Sequence, residues 1–389
     1  IWPDNNAISI ELDLLTKAKL ARNSAKLNGQ TWPLSVPFTI TDGNNRITIK
    51  GQPDLSRLAT VMLGVRNPLK TSASIGDDGL DKSAIVWFDE LRLTDFDERG
   101  GWAAVGRFNA RLADFADVTV LGSKRTIGFG SIDQGLNERS RSDDQSYDVT
   151  TSMELGKFFP DKKGIHIPMY INVSTQTSMP QYDPAMPDVE LKQTISNAKS
   201  QQERDSIRSA AEDYTIRKSI NFTNIHKNRT DPTKPNHVWD IENFNATYAY
   251  TDYEHHDFTT LNELQKTYKV ALAYNYNNPP KFYSPLNKLI KSNLLALLRD
   301  VNYSLLPSRL NFQISFDRFY SENTLRNNDP NNFIPIPTSF NKSFNITRVY
   351  GIGWNLSKSL QMDIDATNFS VVDEPAGRIN GLKRDTLWE

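Results

Sequence analysis

From Gly101 onward, apolar and polar residues alternate with period two in one run after another. Trp102, Ala104, Gly106, Phe108, Ala110 and Leu112 are small or apolar, and Arg107, Asn109 and Arg111 stand between them. Val118 and Val120 resume the alternation. Phe244, Ala246, Tyr248 and Tyr250 oppose Asn243, Asn245, Thr247 and Thr251. Tyr268, Val270, Leu272, Tyr274 and Tyr276 oppose Thr267, Lys269, Asn275 and Asn277. Leu310, Phe312, Ile314 and Phe316 oppose Asn311, Gln313, Ser315 and Asp317. Ile352, Trp354 and Leu356 oppose Asn355 and Ser357, and Met362, Ile364 and Ala366 oppose Asp363, Asp365 and Thr367. Weaker runs lie at 149–155, 171–175 and 214–222. Successive side chains of a strand point to opposite faces, so each run predicts a strand with one apolar and one polar side.

The lengths of these runs sharpen the picture. A tilted strand needs about 9–11 residues to cross a bilayer. A single alternating strand is ordinary in a soluble sandwich. A long series with aromatics on the apolar side fits a membrane barrel with lipid on one face and water on the other. The expected fold class is therefore all-β: a series of antiparallel barrel strands over 99–389, part of a very large transmembrane barrel. Phe108, Phe244, Tyr248, Tyr250, Val270, Leu272, Tyr274, Phe312, Phe316 and Trp354 are the expected lipid-facing side chains. Arg107, Asn109, Arg111, Lys269, Asn275, Asp317, Asp363 and Asp365 are the expected lumen-facing ones.

Two insertions break the alternation. Residues 188–213 are charged, with Leu191, Ile195 and Ala198 at helical spacing, and predict a helical loop in water. Residues 286–299 carry Leu289, Ile290, Leu294, Leu297 and Leu298 and predict a short apolar helix packed on or inside the barrel, with a strand as the alternative. Ahead of the series, residues 1–98 read as a separate module. The segments 8–12, 32–40, 46–50, 58–65 and 84–93 are β-rich, with a turn at 42–45 and a helical turn or two at 12–20. Short strands between turn signals predict a small β-sandwich or jelly roll.

Composition narrows the function classes. The 389 residues carry 45 Lys and Arg against 46 Asp and Glu, which leaves no basic footprint for nucleic acid. Cysteine is absent, which excludes disulfides, thiolate metal sites and a cysteine nucleophile. The mean hydropathy of −0.54 does not exclude a barrel, whose strands give half their residues to a wet lumen. Ile1 is no initiator, and Leu387-Trp388-Glu389 is no terminal signature; the expectation is an internal stretch of a longer chain.

Candidate chemical sites are weak. Gly128-Phe129-Gly130 lacks dinucleotide-loop spacing and reads as turn glycines. Asp77, Asp78 and Asp81 lack the ligand spacing of a calcium loop. His255 and His256 are adjacent, so on a strand they face apart and cannot share an ion. Asp89 and Glu90 face apart in the same way and make no acid–base pair. The sequons at Asn245 and Asn302 follow from Asn/Ser/Thr-rich strand faces. The expectation is no enzyme, no metal and no cofactor.

One ordered set of motifs is specific. Trp87-Phe88-Asp89-Glu90-Leu91-Arg92-Leu93-Thr94-Asp95-Phe96 is followed by Gly101-Trp102-Ala103-Ala104, Leu112-Ala113-Asp114-Phe115-Ala116 and Gly128-Phe129-Gly130-Ser131. Glu138-Arg139-Ser140, Phe158-Phe159-Pro160, Pro180-Gln181-Tyr182-Asp183-Pro184, Leu306-Pro307-Ser308, Asp317-Arg318, Trp354 to Leu360 and Asp373-Glu374-Pro375-Ala376-Gly377 come later in the same order. The set resembles the SprA/Sov family, with Trp87, Glu90, Leu91 and Arg92 carrying its most distinctive motif. The resemblance implies an outer-membrane translocon of type IX secretion, active in gliding motility in Bacteroidota. It also implies folded cargo proteins in transit, a PorV-like barrel partner and a plug protein. Another outer-membrane barrel, and a secreted carbohydrate-binding or hydrolytic sandwich, are the competing readings.

Overall fold

The computed structural model describes residues 7–43, 45–67, 69–71, 78–231, 233, 236–288, 295–329 and 334–378. Its chain clusters into two units. The first holds residues 1–101, 127–141 and 180–207, and the second holds 102–126, 142–179 and 208–389.

In the first unit, α1 (Leu12–Ser24) is followed by the hairpin β1 (Lys26–Leu27) and β2 (Gln30–Thr31), then by β3 (Phe38–Asp42) and β4 (Asn45–Ile49). The helix at 12–20 and the strands flanking the turn at 42–45 form where the sequence predicts them. The sandwich takes a different form from the expected one: the two hairpins are separate two-stranded sheets, and 58–65 and 84–93 are unpaired. Apolar alternation licenses a strand but does not supply its partner. Pro33 and Pro37 also remove two ladder donors from 32–40.

Residues 127–141 and 180–207, which lie within the 99–389 series on the sequence reading, cluster with residues 1–101. Buried Lys19 meets Asp188 at 2.6 Å, and Gln193 donates to Asp13. These long-range polar contacts leave no local sequence signal. The expected helical loop is present as α2 (Leu191–Asn197) and α3 (Gln201–Ala211), with Leu191 and Ala198 buried.

The second unit is one antiparallel sheet. Its strands are β5 (Ala103–Leu112), β6 (Ala116–Arg125), β7 (Ser142–Glu154), β8 (Ile165–His166), β9 (Pro168–Pro180), β12 (Asp213–Lys227), β13 (Phe244–His256), β14 (Thr260–Asn277), β15 (Arg309–Leu325), β16 (Ser339–Asn355) and β17 (Gln361–Val371). The small hairpin β10 (Tyr182–Asp183) and β11 (Met186–Glu190) belongs to the first unit. The main path runs β17-β16-β15-β14-β13-β12-β9-β7-β6-β5, with β8 paired to β12. Among the described residues, β5 and β17 each have one neighbour only, so the sheet is open at both edges. Of the expected apolar helix, 289–294 lie outside the described residues, and α4 (Ala296–Arg299) is a single turn at its end.

The tightest long hairpin shows how local chemistry sets register. Asp257 ends β13 and accepts from the Thr259 backbone N–H, the Thr259 hydroxyl and the Thr260 backbone N–H. Burial opposes its ionisation, yet these donors, led by the Thr260 N–H, hold its carboxyl below the usual range. Asp257→Ala is expected to cost about 1–2 kcal/mol by leaving these donors unpaired. Faster amide exchange confined to 257–262 would check it; unchanged exchange there would contradict it.

Candidate functional site: a two-faced sheet

Antiparallel partners share a face, so the pairings sort every strand side chain onto one of two sides. Val120 lies opposite Phe108 and Val149. Phe222 pairs with Tyr248, Tyr248 with Val270, Val270 with Phe316 and Phe316 with Ile346. Phe244, Tyr274, Phe312 and Tyr350 form the next-but-one row, and Trp354 pairs with Met362. Every side chain predicted above for the apolar side falls on this one face. Among the described residues nothing covers its centre: Val270 and Leu272 are 41% and 40% exposed. A contiguous apolar surface of this extent is not left bare by soluble monomers.

The opposite face is polar. Lys269 pairs with Asp317, Nζ to Oδ1 at 3.4 Å, and Arg111 meets Asp117 at 2.9 Å. Arg309 reaches Asp363 at 3.4 Å and Asp365 at 3.5 Å. Arg107 and Asn109 stand beside Arg111 on β5, and Asn275 lies opposite Asn311. Asn172 bridges Asp148 and Thr150, and Thr119 donates to Asn109. Leu121, Phe319, Val349 and Phe369 interrupt this face, but it has no continuous apolar row. Exposed pairs of this kind contribute roughly 0–1 kcal/mol each, so their main effect is a wet surface of balanced charge.

The upper limit of the apolar band carries the most information. Reading from the strand ends near Tyr276, the first polar side chain on the apolar face is Thr175 on β9, Lys218 on β12, Asp252 on β13 and Lys266 on β14. It is Arg318 on β15, Arg348 on β16 and Asn368 on β17. Followed along the pairings to β14, Thr175 projects onto Leu264, and Lys218 and Asp252 onto Lys266. Arg318 projects onto Tyr268, and Arg348 and Asn368 project onto Leu272. The limit thus drifts from position 264 to 272, eight residues over the six strand steps from β9 to β17. At ~3.35 Å per residue and ~4.8 Å per strand, the limit is inclined by about 43° to the perpendicular of the strands, which is the tilt of the strands from the normal to the band. Met179, Tyr214, Ile216, Leu264, Tyr320, Phe340, Phe344 and Ile346 are apolar or aromatic outliers beyond the line.

The band has further boundaries. On β14 it runs from Tyr268 to Tyr276, about 27 Å along the strand, or roughly 20 Å of height at that tilt. Aromatic pairs flank it. Tyr250 meets Tyr268 at 4.9 Å on one side, and Phe244 meets Tyr274 at 4.9 Å on the other. Beyond the charged line, residues 372–378 return over the apolar face. Glu374 pairs with Arg318, Arg378 with buried Glu322, and Lys342 donates to the Pro375 carbonyl at 2.6 Å. This non-helical strap could not lie in hydrocarbon, where unpaired backbone groups are too costly.

The chemical candidates do not assemble. His255 faces Thr215 and Asp213 on the polar side, while His256 stacks on Tyr214 on the other. Among the described residues no cluster of three metal-ligating groups forms, and Asp77 lies outside them. Glu90 has φ +54° and pairs with Arg92 at 2.5 Å, and Trp87 and Leu91 are exposed. The distinctive motif is therefore a surface feature of the first unit. Gly128 has φ +85°, and a Cβ there would meet the Arg99 carbonyl at 2.4 Å, so this is a turn glycine in a close backbone crossing. A shallow recess on the polar face, lined by Arg217, Thr251, Tyr253, Gln265 and Thr267, holds no carboxylate and no histidine.

A family model described as motility related/secretion protein, SprA_N, matches residues 1–195. The chain belongs to this family. The match spans the Trp87–Phe96 motif, α1 to α2 and the strands β5 to β9. No curated protein matches the chain. Membership makes it a motility and secretion protein with a place in the cell envelope. Sequence reasoning found the faces; it named Arg318 and Glu374 only as parts of motifs and did not see their pairing, nor that of Glu322 with Arg378, which depends on a strap that crosses strands far away in sequence.

Proposed function

We propose that the sheet is part of the wall of an outer-membrane β-barrel through which proteins are secreted. The oblique apolar band carries the reading. Strands of membrane barrels tilt by roughly 35–45°, with an apolar band about 25 Å tall between aromatic girdles. Strands tilted by about 43° from the normal of their apolar band are what a level membrane would draw on such a wall.

On this reading the polar face lines an aqueous passage, and its paired charges and Asn/Ser/Thr rows give passing protein little to adhere to. The wall performs no bond chemistry. The open edges at β5 and β17 pair with further strands. Cargo proteins, a PorV-like barrel and a plug protein are the partners that family resemblance offers.

The test is accessibility in the full-length protein, with cysteine confined to the test position. Asn275→Cys should react with a water-soluble maleimide that enters the passage, and Leu272→Cys should not. Equal reaction at both would place water on both sides of β14 and overturn the wall.

A further inference from the structure

The two limits of the apolar band differ in chemistry. One is the line of charged residues just described. At the other, strand ends meet two connections, and the described residues 236–243 of the first and 295–308 of the second come back against the apolar face. The Tyr274 hydroxyl, on that face, donates to the Val238 carbonyl at 2.7 Å. Trp354 Nε1, also on that face, donates to the Ser304 carbonyl at 3.1 Å, and the Ser304 N–H donates to Leu356.

The first loop is built inside out by the standards of a loop in water. Its polar groups are spent on holding it. Arg229 Nη2 donates to Asn236 at 2.8 Å and to Asp240 at 2.7 Å. The His237 backbone N–H donates to Asp240, and buried Asn243 donates to the His237 carbonyl. Its apolar side chains point away from this scaffold: Trp239 is 79% exposed, Ile241 63% and Val238 40%. Ordinary surface loops hide such residues or lack them. In the second loop Leu305 and Leu306 are exposed in the same way, next to the ring contact between Tyr283 and Tyr303.

We propose that these loop tips are an interfacial anchor, inserted at the boundary between headgroups and acyl chains of the leaflet at this end of the wall. The proposal rests on the wall reading and adds its lipid-binding element. The occupant is the lipid surface, because the tips are hydrogen-bonded directly to Tyr274 and Trp354 of the apolar band, and the charges beside them, Lys227 with Glu242 and Arg229 with Asp240, are paired with each other. Trp and Tyr, with an apolar body and a polar tip, suit that boundary. Held rigid by their hydrogen bonds, the tips lose little conformational freedom on insertion.

Full-length protein in phosphatidylcholine vesicles, with a single cysteine carrying a fluorophore, tests this. Quenching by nitroxide lipids labelled near the headgroup is compared with quenching by lipids labelled deep in the chain. Trp239→Cys should be quenched several-fold more by the shallow label than by the deep one. Val270→Cys should be quenched most by the deep label, and Ser315→Cys, on the polar face, by neither. Quenching at 270 without quenching at 239 would overturn the anchor and leave the wall standing. No quenching at either would overturn both. Trp239→Ser, which keeps the Arg229–Asp240 scaffold, should weaken the bound protein's resistance to alkaline extraction; no change there would also count against the anchor.

Discussion

Leu272→Arg in the full-length protein is expected to remove most of the folded barrel and to stop secretion, while Asn275→Arg is tolerated. Leu272 sits mid-band on β14, paired with Ala246 and Ile314 on the apolar face. Asn275, three residues on, lies on the polar face opposite Asn311. An arginine at the midplane of a barrel costs roughly 2–4 kcal/mol when it faces lipid and little on a wet lumen. Natural proteins hold only about 5–15 kcal/mol in reserve, so the first loss is a large part of the whole. Both variants add one charge to the same strand, which isolates the face as the variable. Heat-modified mobility of the barrel and the amount of surface cargo read the outcome. Similar loss in both variants would assign the damage to the strand and not to its lipid side.

Glu374→Ala should be the second large effect. The side chains of Glu374 and Arg318 are only 6% and 15% exposed, and the pair fastens the strap to β15. Removing one partner of a buried pair leaves the other charged and unpaired, at about 3–5 kcal/mol when burial is complete. Arg318 keeps some water and the Tyr268 ring at 5.8 Å, so about 3 kcal/mol is expected. Asp317→Asn, one residue along β15, breaks the Lys269 pair on the opposite face. There the partners are 55% and 41% exposed, and the loss should stay below about 1 kcal/mol. Thermal denaturation of the full-length protein in detergent would show a marked drop in midpoint for the first and almost none for the second. Equal shifts would mean the strap is not a fastened element.

The faces of this sheet were legible in the sequence because period two needs no knowledge of partners. Once Val270 and Leu272 are read as one side and Lys269 as the other, pairing carries the assignment across every neighbour. What required the structure depends on distance along the chain. Asp188 looks like any loop carboxylate until Lys19 is seen beside it. Glu374 and Arg378 stand in a polar tail whose return over β15 nothing local announces. Residues 58–65 and 84–93 mislead in the other direction: their composition favours strands, yet a strand exists only with a partner, and none pairs with them among the described residues. The tilt of the band was hidden for a related reason. It is a relation between strands, invisible until the register fixes which residue of β9 stands level with which residue of β17.

That tilt is also the most direct test. Single cysteines placed on the apolar face of the full-length protein, at and just inside the polar limit on β12, β13, β14, β16 and β17, where no strap covers the limit, would be reacted with a membrane-impermeant maleimide. A bilayer lying obliquely to the strands predicts protection at Ile220, Tyr250, Tyr268, Tyr350 and Ala366. It predicts reaction at Lys218, Asp252, Lys266, Arg348 and Asn368, with the limit descending along the strands toward β17. Reaction at both sets, or a limit that follows one row of paired residues from β12 to β17, would contradict a tilted wall in a membrane.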